Sequence, residues 1–135
     1  MNVTAFLCDY AEERLGKLYI MGAGWDVAIA NTPMPIALAM TVQVPWDEAN
    51  RPHELAIDLA DQDGQPALIN GDPVRIRGKF EAGRPAGVPP GTSLNMPLAP
   101  RIPQILLAAG TYTFNILIDD EAVLSLPFRM IEVKQ

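Results

Sequence analysis

The sequence predicts one all-β domain over residues 1–135, folded as a single-domain immunoglobulin-like Greek-key β-sandwich of about eight or nine short strands. The 13 prolines and 10 glycines are spread along the chain and leave no long amphipathic helix. Between these breaks, apolar and polar residues alternate with the period of half-buried strands. Because 49% of the residues are hydrophobic, one chain of this length can enclose one continuous core.

The first half of the chain contains four predicted strands. Residues 2–8 form the first, with both faces expected to be buried, and the charged segment 9–16 connects it to a second strand at 17–21. This arrangement predicts an N-terminal hairpin. A short edge strand follows at 25–30, and 36–44 has the clearest alternation of this half.

The next part combines a hairpin with a long loop. Residues 53–60 alternate regularly, and the Asp-Gly turn signal at 61–64 predicts that 67–69 pairs with them. A further strand is predicted at 74–80. The glycine- and proline-rich segment 83–91 follows and is predicted to be a surface loop.

The last part contains three predicted strands. The first, at 93–99, contains a proline and is therefore expected at a sheet edge, before a crossing segment at 100–107. The second covers 111–118. The third covers 123–133, and Pro127 is expected to split it or to mark a bulge.

One tyrosine supports the choice of topology. Tyr112 lies in the run Gly110-Thr-Tyr-Thr-Phe114, which resembles the tyrosine corner of immunoglobulin-like folds. In that motif the hydroxyl bonds to a backbone group a few residues upstream, so we expect this bond here. An up-and-down barrel is the main structural alternative.

Three segments carry a family resemblance across the chain: AFLCDYAEERLGKLYIMGAGWD at 5–26, HELAIDLADQDGQP at 53–66 and GTYTFNILIDDE at 110–121. Together they resemble a family of short, uncharacterised bacterial proteins, a domain of unknown function. The resemblance implies a bacterial, cytoplasmic β-sandwich. It transfers no activity, cofactor or catalytic residue.

Charge and composition argue against several partners. The net charge of -6 repels nucleic acid and anionic membrane surfaces, and no apolar run is long enough to cross a membrane. Arg75, Arg77 and Lys79 alternate along one strand and are predicted to be a solvated face. Cys8 is the single cysteine and no signal peptide is evident, so the predicted location is the cytoplasm.

No catalytic residue and no cofactor are predicted. His53 is the single histidine, and Cys8 lies in an apolar strand where a thiol is usually inert. The serines lie in no nucleophile motif, and the ligands for a zinc site are too few. An enzyme using carboxylates alone, with Asp58 and Asp61 or with Asp119 and Glu121, is the least favoured hypothesis.

Two acidic turns are the candidate metal site. Calcium prefers hard oxygen ligands, and the two turns are expected to be able to lie at the same end of a sandwich. Asp and Gly are also common in tight turns for purely local reasons, and this alternative is favoured. The calcium candidates are Asp61, Asp63, Asp119, Asp120 and Glu121.

The leading functional hypothesis is a non-enzymatic protein-binding or self-assembling module, because apolar residues alternate on both faces of several strands. The edges at 25–30 and 93–99 are the expected contact points, with a homo-oligomer or another protein as partner. Trp25 and Trp46 are expected to pack on the core. The alternative is a β-sandwich that binds calcium or a small ligand, the latter under the loop 83–91.

Overall fold

A computed structural model describes residues 1–133, which form an all-β structure as predicted. A single 3₁₀ turn, Trp46–Glu48, interrupts the strands in this part of the chain. In chain order the strands are β1 (Asn2–Arg14), β2 (Lys17–Ala23), β3 (Val27–Ile29), β4 (Met34–Val44), β5 (His53–Ala60), β6 (Leu68–Ile69), β7 (Asp72–Pro73), β8 (Arg75–Phe80), β9 (Leu94–Leu98), β10 (Arg101–Ile105), β11 (Gly110–Ile118) and β12 (Glu121–Ile131).

The strands form two main sheets. In the first sheet, β2, β1 and β4 are neighbours, and β9 and β10 pair in succession along the other side of β4. The second sheet has the order β3-β12-β11-β5-β8, antiparallel except that β3 runs parallel to β12. A small hairpin, β6-β7, lies outside both sheets.

The two sheets share one hydrophobic core. Alternate residues of β5 and β11 are buried, and in β4 the large alternate side chains from Ile36 to Val44 face this core, which confirms the alternation seen in the sequence. Side chains from both sheets belong to the same contact cluster, so the inner face of each sheet is buried only when the other sheet is folded against it. The largest fully buried apolar side chains of this core are Phe114, Ile36, Leu38, Met40, Ile57, Leu59, Ile105, Ile116, Met130, Val42 and Val44.

A second, smaller cluster lies on the opposite face of β4. Ala37 and Ala39 are buried there together with Cys8 and Ala11, and Leu18 packs against them. We call residues 9–23 the N-terminal arm: it comprises the second half of β1, the turn and β2. Ala11 and Leu18 of the arm therefore pack on the small side chains of Ala37 and Ala39.

The arm corrects one prediction and confirms another. The charged segment 9–16 was expected to be a connection, but β1 continues through it to Arg14. Leu15 and Gly16 have φ of 51° and 79°, and two such residues form the tight turn that joins twisted strands. The predicted hairpin therefore exists with a two-residue loop. Phe6, predicted to be buried, is 53% exposed.

Two further predictions about strands are corrected. Residues 67–69 were expected to pair with β5; Ala67 N does donate to Leu59 O, but the ladder along β5 is formed by β8, and Leu68–Ile69 pairs within the small hairpin. Residues 100–107 were expected to be a crossing segment, but they contain β10. Pro100 lies between the end of β9 and the start of β10, where no ladder along β4 needs its missing N–H. The Pro100 carbonyl accepts a hydrogen bond from Leu38 N.

Pro127 neither splits β12 nor marks its bulge. The strand is continuous, and the register shift lies at Ile116/Leu117. Arg129 N donates to Asp26 O, toward β3, so the nitrogen two residues earlier faces the same side. Because β3 begins opposite Arg129, the missing donor of Pro127 costs no bond within the sheet.

The expected tyrosine bond is present. The Tyr112 hydroxyl donates to the Ala108 carbonyl at 2.8 Å, four residues upstream. The Tyr112 ring stacks on Phe128 of β12, with centroids 5.8 Å apart, so the start of β11 packs against β12 through these rings.

Candidate functional site

His53 is the one buried polar residue of the described core, 1% exposed at the start of β5. Its Nδ1 lies 2.7 Å from Asp119 Oδ2, and its Nε2 lies 2.7 Å from the Glu48 carbonyl. Asp119 Oδ1 also accepts the Glu54 backbone N–H at 2.9 Å. One side chain therefore joins the 3₁₀ turn, β5 and the turn between β11 and β12.

Both neighbours of the imidazole are hydrogen-bond acceptors, which favours a proton on each ring nitrogen. Burial lowers the pKa of His53, but the bonds to the Glu48 carbonyl and to Asp119 outweigh it, so the pKa is raised. The Glu54 N–H and His53 lower the pKa of Asp119. His53 and Asp119 therefore form a charged, hydrogen-bonded pair in which the imidazole is buried and the carboxylate is half exposed.

Proton transfer to a substrate is a poor role for this histidine because both of its nitrogens are engaged. Cys8 is in the second cluster, where its thiol donates to the Ala37 carbonyl at 3.4 Å. Burial raises the pKa of this thiol and so disfavours the reactive thiolate. His53 and Cys8 each have a structural environment that accounts for them.

The acidic turns do not lie together. Ile118 pairs with Leu55 and Thr113 pairs with Ala60, so the turn at 119–121 and the turn at 61–64 are at opposite ends of β5. This corrects the expectation that both occupy one end. Among residues 1–133, no group of three or more His, Cys, Asp or Glu side chains is arranged to hold a metal ion.

Local hydrogen bonds and backbone conformation explain why acidic residues occur in these turns. Asp61 Oδ1 accepts the N–H groups of Asp63 and Gln65, which closes the turn. Asp119 uses both oxygens as described above. Asp120 has φ of 64°, a conformation in which Asp is several-fold enriched, and Glu121 begins β12.

The proposed carboxylate pairs are likewise dispersed. Asp58 points to the outer face of the second sheet, where its carboxylate is 2.9 Å from Arg77 and 3.8 Å from Arg75. Arg75, Arg77 and Lys79 are all exposed, which confirms a solvated face. Such exposed ion pairs contribute little to stability.

An open cavity of about 480 Å³ lies beneath the loop 83–91, where a small ligand was considered. Its charged side chain, Arg84, stacks over the Trp46 ring at 4.4 Å and donates to the Trp46 carbonyl. That side chain is therefore committed within the protein. Trp46 and Trp25 both pack against the core, as predicted.

The N-terminal arm carries five of the twelve large hydrophobic side chains that are exposed in the described chain. Tyr19, Met21 and Leu15 are 55%, 68% and 98% exposed, and Ile20, on the other face of β2, is 43% exposed. Tyr10 pairs with Met21 across the two strands and contacts Arg101 by a cation–π interaction, with 5.0 Å between guanidinium carbon and ring centroid. An aromatic and apolar patch therefore covers the arm.

Sequence reasoning missed this patch and named the edges at 25–30 and 93–99 instead. β3 does lie at an edge, with Val27 and Ile29 about half exposed, and within residues 1–133 β9 pairs with β4 alone. A signal for the arm was present in Leu-Tyr-Ile-Met at 18–21: both faces of that strand are apolar, and the core can cover at most one of them.

The described chain is thus a two-sheet β domain with a buried, hydrogen-bonded histidine and an exposed hairpin arm. It belongs to the family of unknown function DUF6941, whose model matches residues 3–131. The resemblance seen in the sequence is confirmed by this match. Among the curated proteins, none matches the chain in sequence. Within residues 1–133, no helix has the length and apolar character needed to span a bilayer.

Proposed function

We propose that this protein is a non-enzymatic protein-binding module whose contact surface is the outer face of the N-terminal arm. The observation that carries the proposal is the exposure of Tyr19 and Met21 on one face of β2, which among the described strands pairs with β1 alone. Exposed aromatic and methionine side chains are enriched in protein interfaces and unfavourable on a surface in permanent contact with water.

Leu15 supports the same surface. It lies at the tip of the arm, 98% exposed, at a φ of 51° where Asn or Gly is the favoured residue. An exposed leucine in this conformation costs stability without any gain from burial in the isolated domain. Contact with a partner provides the burial that offsets this cost.

The domain that carries the arm is proposed to have immunoglobulin-like Greek-key topology. In support, β8, β5, β11 and β12 follow one another in the order of the C′, C, F and G strands, and β1, β4 and β9 in that of A, B and E. The Tyr112 bond at the start of β11 agrees with this assignment. A reducing compartment, such as the cytoplasm, suits the buried thiol of Cys8.

Site-specific photo-crosslinking in the native cells tests the proposal. Benzoylphenylalanine replaces Tyr19 in one variant and Leu68, which is 59% exposed on β6, in the control. We expect a defined adduct at position 19, identified by mass spectrometry as this chain or another polypeptide, which Met21→Lys removes. Absence of an adduct at position 19, or equal adducts at both positions, would overturn the proposal.

A further inference from the structure

We infer that the partner of the arm is a second copy of this chain, joined by antiparallel pairing of β2 with β2 across a two-fold axis. This inference rests on the proposed function and specifies its partner. Its first basis is the open edge of β2, whose described pairing is with β1 alone. An edge strand of seven residues is long enough to template another strand.

The backbone of β2 is oriented for such pairing. Arg14 and Lys17 flank the two-residue turn and form the closing pair of the hairpin, whose N–H and C=O groups bond to each other. Hydrogen-bonding direction alternates along a strand, so Leu18 and Ile20 direct their N–H and C=O groups away from β1. These groups are available to another copy.

The edge lacks most of the features that usually prevent such association, and its one irregularity is Gly22, whose φ of 65° interrupts the strand near its end. Its sequence, Lys-Leu-Tyr-Ile-Met-Gly-Ala, contains one charged residue, at its end, and no proline. The Ile20 side chain at its centre is 43% exposed. By comparison, the edge strand β8 of the other sheet has Arg75, Arg77 and Lys79 along it.

One register makes the edge self-complementary. If Ile20 lies opposite Ile20 of the second copy, Tyr19 lies opposite the second copy's Met21, and this contact occurs twice by symmetry. Aromatic and methionine side chains form favourable cross-strand contacts. The two Lys17 ammonium groups are then at opposite ends of the pair, each opposite Ala23, so like charges are far apart.

The area available matches a weak dimer. Large side chains of this kind have about 150–250 Å² each, so Tyr10, Tyr19, Ile20 and Met21 together expose about 400 Å². Complete burial of these side chains and of the strand backbone in both copies would remove about 1,000 Å² in total, so the interface lies at or below the lower limit for a specific one. We therefore expect weak association, with a dissociation constant of about 1 μM or above.

Size-exclusion chromatography with light scattering on the purified full chain, between about 1 and 200 μM, measures the association directly. We expect a reversible monomer–dimer equilibrium, weakened at least about tenfold by Tyr19→Lys. Ile20→Pro removes an outward N–H that β1 does not use, and it should also give a monomer. Val27→Lys, on the equally exposed edge strand β3, is the matched control and should leave the dimer intact.

The outcomes separate this inference from the proposed function. Circular dichroism of each variant shows whether it folds, and a folded Tyr19→Lys or Ile20→Pro protein that still dimerises overturns the inference. So does loss of the dimer in Val27→Lys, which would locate the interface at β3, and so does a monomer at every concentration. If a monomeric protein still forms a crosslink from position 19 to another polypeptide, the proposed function stands with a different partner.

Discussion

At the scale of single residues, His53 shows how one buried polar group can organise a β domain. Its two nitrogens reach a carboxylate and a backbone carbonyl, and the carboxylate in turn holds the Glu54 N–H. Two segments far apart in sequence, residues 48–54 and the turn at Asp119, are joined there by hydrogen bonds as well as by apolar contacts. Removing one partner would leave a buried polar group without its bond, which is more costly than never having had the pair.

The directions of the pKa shifts predict how the stabilisation by the His53–Asp119 pair depends on pH. The pKa of His53 is raised, so its contribution is complete below its unfolded value of about 6.5 and is lost as pH rises through the folded value. The pKa of Asp119 is lowered, so its contribution is present above about 3.9 and is lost as pH falls through the folded value. The pair therefore stabilises most between about pH 4 and 6.5.

We predict that Asp119→Asn lowers the free energy of unfolding by about 1 kcal/mol near pH 5.5 and by less at pH 9. The reason is that Asn tolerates the left-handed backbone at this position, but its neutral amide cannot form an ion pair with an imidazolium. The side chain is half exposed, which keeps the effect modest. Urea unfolding at both pH values measures it, with Asp120→Asn in the same turn as the control. Equal losses in the two variants would contradict the role assigned to His53.

At the scale of elements, the arm contains a turn whose sequence does not suit its backbone conformation. A tight turn with two left-handed residues favours Asn-Gly, and the chain has Leu-Gly. We predict that Leu15→Asn raises the free energy of unfolding of the monomer by about 0.5–1 kcal/mol, because Asn adopts this backbone readily. Thermal unfolding at low micromolar concentration measures it, with Leu68→Asn, at an exposed position of ordinary φ, as the control. A destabilised Leu15→Asn protein would argue against strain at the tip.

The elements also show which features of the fold can be predicted from sequence. In β4, β5 and β11, alternation is strong because one face is buried against the other sheet, and these strands were correctly placed. The arm was misread because charged residues at 12–14 resemble a loop, whereas in β1 they lie on an exposed ribbon. The pairing of 67–69 was predicted only in part, because a turn signal fixes a bend, while the partner of the strand depends on contacts with distant residues.

In the candidate site, too, local contacts could be predicted from the sequence and contacts between distant residues could not. The Tyr112 bond was predictable because donor and acceptor are four residues apart. The His53–Asp119 bond joins residues 66 positions apart, and no local pattern reports it. The exposed patch was also beyond local reasoning, because whether Tyr19 and Met21 are covered depends on how the arm lies over β4.

At the scale of the whole molecule, the shared core makes the two sheets one cooperative unit. Val42 from the first sheet and Ile116 from the second belong to the same cluster, so neither sheet retains a buried face when the other unfolds. The small alanine cluster beneath the arm buries much less surface. The arm therefore depends on the sheets, whereas the sheets depend little on the arm.

This dependence gives a prediction for the entire chain. Ile116→Ala should lower the free energy of unfolding by about 2–5 kcal/mol, because Ile116 is fully buried between the sheets and its removal leaves a cavity. Ile29→Ala, at a 52% exposed position of β3, should cost less than about 1 kcal/mol. Urea unfolding followed by tryptophan fluorescence and by circular dichroism should give coincident transitions in both variants. Trp25 contacts Phe128 of the second sheet, and circular dichroism reports all strands, so separate transitions would show that the sheets unfold independently.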